Sequence, residues 1–335
     1  MSTRGRADAA IPVTPTLLRG WPLPGGGSGK DDRGSVLVIG GARKTPGAAL
    51  LAGTAALRAG AGRLTLAVAG STAVQVAVAL PEAGVVGLAE TERGAVQGSG
   101  VSAVAEELKN AAAVLVGPGL DDMDEAESLL RELLKLESGR AVGDGRGRDG
   151  EGGDGRGRDG SGDSGHRPAV VLDAYALGCL PELLDELGAW AGRLILTPNI
   201  TESGVLLGRD VGDLHQDVAE IAGRYGAVVS CQGVIAVPAG HTTGNPRDEG
   251  GRANGGLWEI TTGYGGLGTS GSGDILAGAI AGLRARGTTD AQATCWGTHL
   301  HAAAGDRLAS RLGSLGYLAR ELADELPALM MELGT

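Results

Sequence analysis

A glycine-rich run that ends in a single carboxylate is the part of this sequence best suited to chemistry. Residues 263–274 read GYGGLGTSGSGD and lead directly into an apolar pattern of helical period. Glycines let backbone N–H groups approach an anion, and a helix that begins here adds the positive end of its dipole. Asp274, in the first turn of that helix, would act beside a phosphate as a base or a metal contact. The alternative is an ordinary glycine turn in which Asp274 caps the helix.

Two further glycine turns follow predicted strands. Residues 40–49 (GGARKTPGAA) come after the strand predicted at Ser35–Ile39, and residues 117–120 (GPGL) come after the one at Ala113–Val116. Open α/β sheets bind small molecules at the carboxyl ends of their strands. The two turns therefore either line one crevice at that edge or serve only as connections to the next helix. The first turn lacks the G-x-G-x-x-G spacing of dinucleotide-binding folds.

Polar residues also follow the two strands predicted at Ala169–Leu172 and Arg193–Leu196. Asp173 either points into the same crevice or caps the next helix. In the segment TPNITE, Asn199 offers an amide to a ligand, and Glu202 offers a carboxylate to a hydrated Mg²⁺. The same two residues match a helix capping box, and the two roles are compatible.

Two histidines, His299 and His301, lie in a helix predicted at Ala291–Leu308. Residues two apart on a helix face different sides, so we expect packing roles and not one shared metal ion.

Composition excludes several classes of protein. The 335 residues carry a formal net charge of −11 and a pI near 5.0, which argue against nucleic acid or an anionic membrane as the main partner. No apolar run approaches the ~20 residues that span a bilayer. The first eleven residues lack the apolar core of a signal peptide, so we expect a cytoplasmic protein. The three cysteines are far apart and form no CxxC pair, which disfavours a disulfide framework or a structural metal site.

Short apolar runs alternate with helical patterns along the chain. Further strands are predicted at Arg63–Val68 and Ala227–Val229, and helices at Ala48–Ala59 and Glu125–Leu136. This alternation indicates βαβ units and a mostly parallel sheet covered by helices on both faces. Residues 234–238 and 258–262 form a hairpin-like pair, with a polar loop between them.

A low-complexity segment interrupts this pattern at residues 138–167. It is nearly all Gly, Asp, Arg and Ser, and GDGRGRDG occurs at 143–150 and again at 153–160. A segment without apolar residues cannot bury a core, so we predict a disordered insertion. An RNA-binding role is disfavoured because aspartates cancel the arginine charges. We therefore expect one domain at residues 34–330, preceded by an extension at 1–33.

In combination and in this order, the motifs resemble the ribokinase-like superfamily, and most closely its ADP-dependent NAD(P)H-hydrate dehydratases. The resemblance spans roughly residues 14–326 and rests on five segments, namely GGARKTPGAA, GPGL, LDAYAL, LTPN and GSGDILAG. It implies a three-layer α/β/α fold. It also implies repair of the S epimer of hydrated NADH or NADPH: ADP or ATP, with Mg²⁺, phosphorylates the hydroxyl, and phosphate then leaves.

The resemblance also assigns residues to roles. Asp274 is the expected base, the hydrate is expected at Ala48, Gly119, Asn199 and Asp274, and Glu202 is expected to hold Mg²⁺ through water. The residues expected at the nucleotide are Cys231, Gln232, Gly233, Tyr264, Gly265, Gly266, Leu267, Gly268, Thr269, Ser270, Gly271, Ser272 and Gly273. A separate epimerase is the expected functional partner, and we expect a homo-oligomer.

The sequence departs from the family pattern most clearly at Ser230–Gly233 (SCQG), where many members have a Lys-Gly pair. Two alternatives stay open at this point. One is a small-molecule kinase of the same superfamily that phosphorylates an alcohol, and the other is a nucleotide-binding sensor without activity.

Overall fold

A ten-stranded sheet forms the centre of the molecule. The computed structural model describes residues 10–143, 167–245, 255–263 and 265–334. The strands are β1 (Ile11–Val13), β2 (Ser35–Ile39), β3 (Arg63–Ala69), β4 (Gly84–Leu88), β5 (Ala113–Val116), β6 (Ala169–Leu172), β7 (Leu194–Leu196), β8 (Val228–Cys231), β9 (Val234–Val237) and β10 (Gly256–Ile260). The helices are α1 (Pro15–Arg19), α2 (Pro46–Arg58), α3 (Ala73–Ala79), α4 (Ala105–Asn110), α5 (Met123–Gly143), α6 (Tyr175–Gly178), α7 (Leu180–Leu183), α8 (Ile200–Leu207), α9 (Leu214–Tyr225), α10 (Ser272–Ala285), α11 (Asp290–Leu312) and α12 (Ala319–Glu332).

The order of the strands contains a topological switch point. It reads β1-β10-β9-β8-β7-β6-β5-β2-β3-β4, and every pair is parallel except β8 with β9 and β9 with β10. From β2 the chain builds outwards through β3 and β4, and then returns to add β5 to β8 on the other side. Ligands of such sheets bind where the strand order reverses, at the carboxyl ends of the strands, which here is the edge between β2 and β5.

Helices cover both faces of the sheet, so the predicted three-layer α/β/α architecture is confirmed. Successive side chains of a strand point to opposite faces. In β2, Val36 and Val38 therefore join a core with α1, α2, α10, α11 and α12, whereas Leu37 and Ile39 join a second core with helices α4 to α9. Alanine, valine and leucine dominate both cores, as the absence of phenylalanine requires.

The N-terminal segment is more closely integrated than an extension. β1 pairs with β10, and Leu17, Leu18 and Trp21 are buried in the first core. The first strand is therefore β1, not the strand at Ser35–Ile39. The sequence analysis also missed β4, since its residues GVVGL are only half-buried at the edge of the sheet and contain two glycines.

The predicted insertion begins later than expected. Helix α5 continues to Gly143, so residues 138–143 are helical, while residues 144–166 lie outside the described part of the chain. The buried Arg193 connects the two flanks of this segment. Its guanidinium pairs with the carboxylate of Glu137 on α5 and donates a hydrogen bond to the carbonyl of Pro168, just before β6.

Replacing residues 144–166 by a Gly-Ser linker of about six residues should leave thermal stability and turnover nearly unchanged. Shortening a loop about fourfold favours folding by only about 1 kcal/mol, and the Arg193 contacts are retained. Differential scanning calorimetry and an activity assay test this expectation. A melting temperature several degrees lower would mean that the segment contributes to the folded state.

Among the residues described, no helix combines the length and apolar character that crossing a membrane requires.

Candidate active site

The turns after β2 and β5 lock together at the switch point. The N–H of Gly41 donates to the carbonyl of Pro118 over 2.8 Å, and the N–H of Ala42 donates to that of Gly119 over the same distance. The approach is so close that a Cβ on Gly40 would lie 2.0 Å from the carbonyl oxygen of Pro118. The two turns therefore form one closely packed surface at the carboxyl edge of the sheet, which we call the crevice floor, and its role in binding a ligand stays a prediction.

Helix α2 joins this floor to the glycine-rich loop. Ala48 lies in its first turn, and its Cβ is 3.0 Å from the point where a Cβ on Gly119 would stand. Leu51 lies one turn further along the same face, 2.5 Å from the corresponding point on Gly271. Gly119, Ala48, Gly271 and Asp274 consequently line one continuous surface.

The glycine-rich loop is anchored by side chains from the C-terminal helices. Asp306 on α11 accepts hydrogen bonds from the Gly263 N–H, over 2.8 Å, and from the Thr262 hydroxyl. Five residues earlier on α11, Nε2 of the buried His301 lies 2.8 Å from the hydroxyl of Ser272. The Tyr317 hydroxyl donates to the carbonyl of Gly265 over 2.6 Å. These contacts tie the described parts of the loop to α11 and to the segment between α11 and α12 at both of its ends.

These anchors were not found from the sequence. The packing role predicted for His301 agrees with its burial but omitted its contact with Ser272, 29 residues away. Burial lowers the pKa of His301 to about 4, so the ring is neutral at pH 7. No local pattern connects residues so distant in the chain, and only the folded arrangement of α10 and α11 brings them together.

Asp274 stands at the start of α10, where the loop meets the crevice. The first N–H groups of a helix have no partner within the helix, so they are free to bind an anion. Gly271, in the left-handed conformation with φ of 87°, turns the loop into this helix. Burial raises the pKa of Asp274 to about 6, so this carboxyl is better able to accept and hold a proton near neutral pH than an ordinary aspartate.

Asp173, at the carboxyl end of β6, faces the same crevice. Only 5 % of it is exposed, and the Thr197 hydroxyl donates to its Oδ1 over 2.8 Å. Burial, followed by the charge of Asp274, raises the pKa of Asp173 to about 7. The charge of Asp274 therefore acts on Asp173, which places the two carboxyls near each other at this edge of the sheet.

Asn199 and Glu202 form the predicted capping box at the start of α8. The Glu202 N–H donates to Asn199 Oδ1, and the Asn199 N–H donates to Glu202 Oε2, each over 2.9 Å. Burial raises the pKa of Glu202. Among the described residues, no group of three or more carboxylates, histidines and cysteines is arranged to hold a metal ion. Any Mg²⁺ here would therefore depend on phosphate oxygens and water for most of its ligands.

The residues at 231–233 divide between core and surface. The side chain of Cys231 is buried in the second core, and its thiol lies 3.3 Å from the Ser203 hydroxyl, so it cannot reach a nucleotide. Strand alternation points this side chain inwards, so the predicted place of Cys231 at the nucleotide stays a prediction for its backbone alone. Gln232 and Gly233, with φ of 49° and 84°, form the two-residue turn between β8 and β9, and Gln232 is exposed.

The remaining predicted nucleotide residues lie in the loop, except that Tyr264 falls outside the described residues. Residues 265–273 begin at Gly265, which contacts Tyr317, and end in the first turn of α10. Gly268, Ser270 and Gly273 are exposed. Gly273 has no heavy atom of another element near its Cβ position, so the loop is open at the point where a phosphate would approach the helix.

The raised pKa values predict how stability varies with pH. Between about pH 4 and 7 the folded protein holds protons on Asp173 and Asp274 that the unfolded chain has released. These two groups therefore lower the free energy of unfolding as pH rises through this range. The Asp173→Asn substitution should therefore change the free energy of unfolding, relative to wild type, more favourably at pH 7.5 than at pH 5. Urea unfolding of both proteins at both pH values tests this, and a difference independent of pH would contradict it.

A crevice at the switch point of an α/β/α sheet, bounded by a glycine loop that opens a buried helix, defines the ribokinase-like class of proteins. Within this class, the chain belongs to the NAD(P)H-hydrate dehydratase family, whose sequence model matches residues 36–148 and 162–328. The predicted family and the carbon–oxygen lyase class of the enzyme are thereby confirmed.

Two relatives show how much of the chain the family likeness covers. An ADP-dependent (S)-NAD(P)H-hydrate dehydratase of Xanthomonas campestris is 37% identical over 325 residues, which cover 96% of each chain. A bifunctional NAD(P)H-hydrate repair enzyme of Moorella thermoacetica is 33% identical over 307 residues, which cover 90% of this chain and 50% of that enzyme. The chain thus spans about half the length of the bifunctional relative.

A solved structure has the same fold. The ADP/ATP-dependent NAD(P)H-hydrate dehydratase of Bacillus subtilis, co-crystallized with ATP and Mg²⁺, superposes with a TM-score of 0.69 at 23% identity and covers 98% of this chain and all of that one.

Proposed function

We propose that the protein removes water from the S epimer of hydrated NADH or NADPH in a reaction that consumes ADP. The observation that carries this proposal is the position of Asp274, which joins the amide-rich start of α10 to the crevice floor at Gly119. The Xanthomonas relative, an ADP-dependent (S)-NAD(P)H-hydrate dehydratase, supports the same substrate and the same nucleotide.

The chemistry follows from the poor leaving ability of hydroxide. Asp274 accepts the proton of the hydrate hydroxyl while the oxygen attacks the terminal phosphorus of ADP, and AMP departs. The transferred phosphoryl group carries negative charge, which the loop N–H groups and the helix dipole stabilise. Phosphate then leaves in place of hydroxide. Glu202 would hold Mg²⁺ through water, and this ion would supply positive charge that offsets the charge of the phosphate groups.

We assign the hydrate to the floor of the crevice and the nucleotide to the loop. Ala48 packs closely against Gly119, so the floor is formed largely by backbone against which a flat ring could lie, and the exposed Asn199 stands at the rim with an amide to offer. The nucleotide would extend from residues 265–273 towards the turn at Gln232.

The proposal extends to partners. An epimerase would supply the S epimer, and the bifunctional relatives support that link because this chain matches only about half of them. We also propose a cytoplasmic homo-oligomer with no nucleic-acid or membrane partner, in keeping with the net charge of −11.

One assay separates this function from the alternatives. Hydrated NADH mixed with protein, Mg²⁺ and ADP should regain the absorbance band of reduced nicotinamide. A kinase that phosphorylates another alcohol would leave the band unchanged and consume nucleotide only with its own substrate, whereas a sensor would bind ADP without turnover. Absence of the band with both ADP and ATP would contradict the proposal.

Adding a cation at the β8–β9 turn should strengthen nucleotide binding. Gln232 is exposed there, at the carboxyl edge next to β7, and Gln232→Lys should tighten ADP binding by roughly 1–3 kcal/mol, the range of a hydrogen bond to a charged group. Cys231→Lys is unsuitable, because it would bury the new charge. Calorimetric titration measures the effect, and Gln232→Glu should weaken binding. Equal affinities for the three proteins would show that this turn does not face the nucleotide.

A further inference from the structure

The dehydration requires two proton acceptors, and the mechanism above has used only one. Loss of water removes a hydroxyl group from one ring carbon and a proton from its neighbour. The first proton, that of the hydroxyl, goes to Asp274 when the oxygen attacks ADP. In the second step the C–O bond breaks, phosphate departs, the neighbouring C–H bond loses its proton, and its electron pair forms the C=C bond.

We propose that Asp173 is a further catalytic residue, the base that accepts the carbon-bound proton in this elimination step. The inference rests on the proposed function. Asp173 directly follows β6, between the GPG turn after β5 and the segment Thr197–Asn199 after β7. Its backbone packs against Gly117 of that turn, which places Asp173 next to the floor assigned to the hydrate.

The surroundings of Asp173 fix its carboxylate in one orientation. The Thr197 hydroxyl donates to Oδ1 over 2.8 Å. On the other side, the turn of β5 presses against the backbone, since a Cβ on Gly117 would lie 1.8 Å from the carbonyl oxygen of Asp173. A carboxylate oriented by this hydrogen bond, on a backbone packed against the neighbouring turn, is suited to a reaction that depends on alignment.

Backbone strain at the next residue supports a functional role. Ala174 has φ of 51° and ψ of −125°, a conformation that residues with a Cβ rarely adopt. Such strain costs of order 1–3 kcal/mol and is concentrated at active sites. Here it turns the chain sharply into α6 directly after Asp173.

The coupling of the two carboxyls suits the order of the two steps. While Asp274 is ionised, its charge opposes ionisation of Asp173. Once Asp274 has taken the hydroxyl proton, that repulsion disappears, any proton on Asp173 is released to water, and the carboxylate form of Asp173 is favoured. The first transfer therefore prepares the base for the second.

The test follows both steps in one reaction with the full-length Asp173→Asn protein, hydrated NADH, ADP and Mg²⁺. AMP, measured by chromatography, reports phosphoryl transfer, and the reduced-nicotinamide band reports elimination. We expect AMP to form in the first turnover at close to the wild-type rate, while the band appears ~10²–10⁴-fold more slowly, the usual loss for a general base. Mass spectrometry should then detect the phosphorylated hydrate.

Two variants keep the test decisive. Thr197→Val retains the carboxylate of Asp173 but removes its hydrogen bond. This variant should also slow the appearance of the band without slowing AMP formation, but by a smaller factor than Asp173→Asn. Asp121→Asn changes an exposed carboxylate beside the GPGL turn and should leave both signals unchanged.

If both signals fall equally in Asp173→Asn and Thr197→Val, Asp173 is structural and the proposal is wrong. If neither signal changes, the departing phosphate takes the proton itself, and the proposal is again wrong. A wild-type protein that makes no AMP would overturn the proposed function, and the role of Asp173 with it.

Discussion

Replacing Asp274 by asparagine should reduce turnover by ~10²–10⁴-fold while nucleotide affinity changes little. The substitution nearly preserves shape and removes only the ability to accept a proton. The loop N–H groups that would bind phosphate belong to the backbone, and its anchors at Ser272 and Gly263 do not involve the Asp274 side chain. AMP and the reduced-nicotinamide band should be lost together, in contrast to the selective effect expected for Asp173→Asn.

Calorimetric titration of the Asp274→Asn variant with ADP and Mg²⁺ is the control that its glycine-rich loop is correctly folded. A variant that binds ADP as wild type does but turns over near the wild-type rate would remove Asp274 from the mechanism. Loss of both binding and turnover would instead mean that the carboxylate holds the loop in place.

Gly278→Ala should destabilise the protein strongly. In the contact between α10 and α2, a Cβ at position 278 would lie 2.0 Å from the carbonyl oxygen of Ala52, and the obstacle is backbone that no side-chain rotation can clear. The two helices must move apart, at a cost of about 1–3 kcal/mol or more. Because α10 carries Asp274 and α2 carries Ala48, turnover should fall as well.

Gly223→Ala provides a matched control for Gly278→Ala. Gly223 is exposed in the last turn of α9, and no heavy atom lies within 4 Å of its Cβ position. Alanine should there stabilise the helix by up to about 1 kcal/mol, since it has the higher helix propensity. Urea unfolding of the two variants should therefore give shifts of opposite sign, and a shift of the same sign would contradict the close-packing argument.

The sequence predicted the elements whose residues are buried on both faces. Strands β2, β5 and β6 were predicted with their observed bounds because continuous apolar runs leave no choice of face. β1 and β4 were missed because edge strands are short or half-exposed and their pairing depends on distant residues. The same limit applies to the anchors of the glycine loop, since Asp306 and Tyr317 belong to elements that follow it in the chain.

The candidate site divides in the same way. Its backbone features, the glycine turns and the capping box at Asn199, have local signatures and were predicted. Side-chain direction was not predictable at Cys231, where a shift of one residue decides between core and surface. The strain at Ala174 has no signature in the residue type, because alanine usually avoids positive φ.

The contacts of Arg193 have a consequence for protein engineering. By holding both Glu137 and the carbonyl of Pro168, this side chain keeps the two ends of the 144–166 segment attached to the core from opposite sides. The closure cost of a longer segment grows only as the logarithm of its length. A fluorescent or affinity domain could therefore be inserted between residues 143 and 167 while the Arg193 contacts hold the flanking residues in place. The insertion point lies at the amino ends of β6 and β7, whereas the crevice lies at the carboxyl ends of the strands.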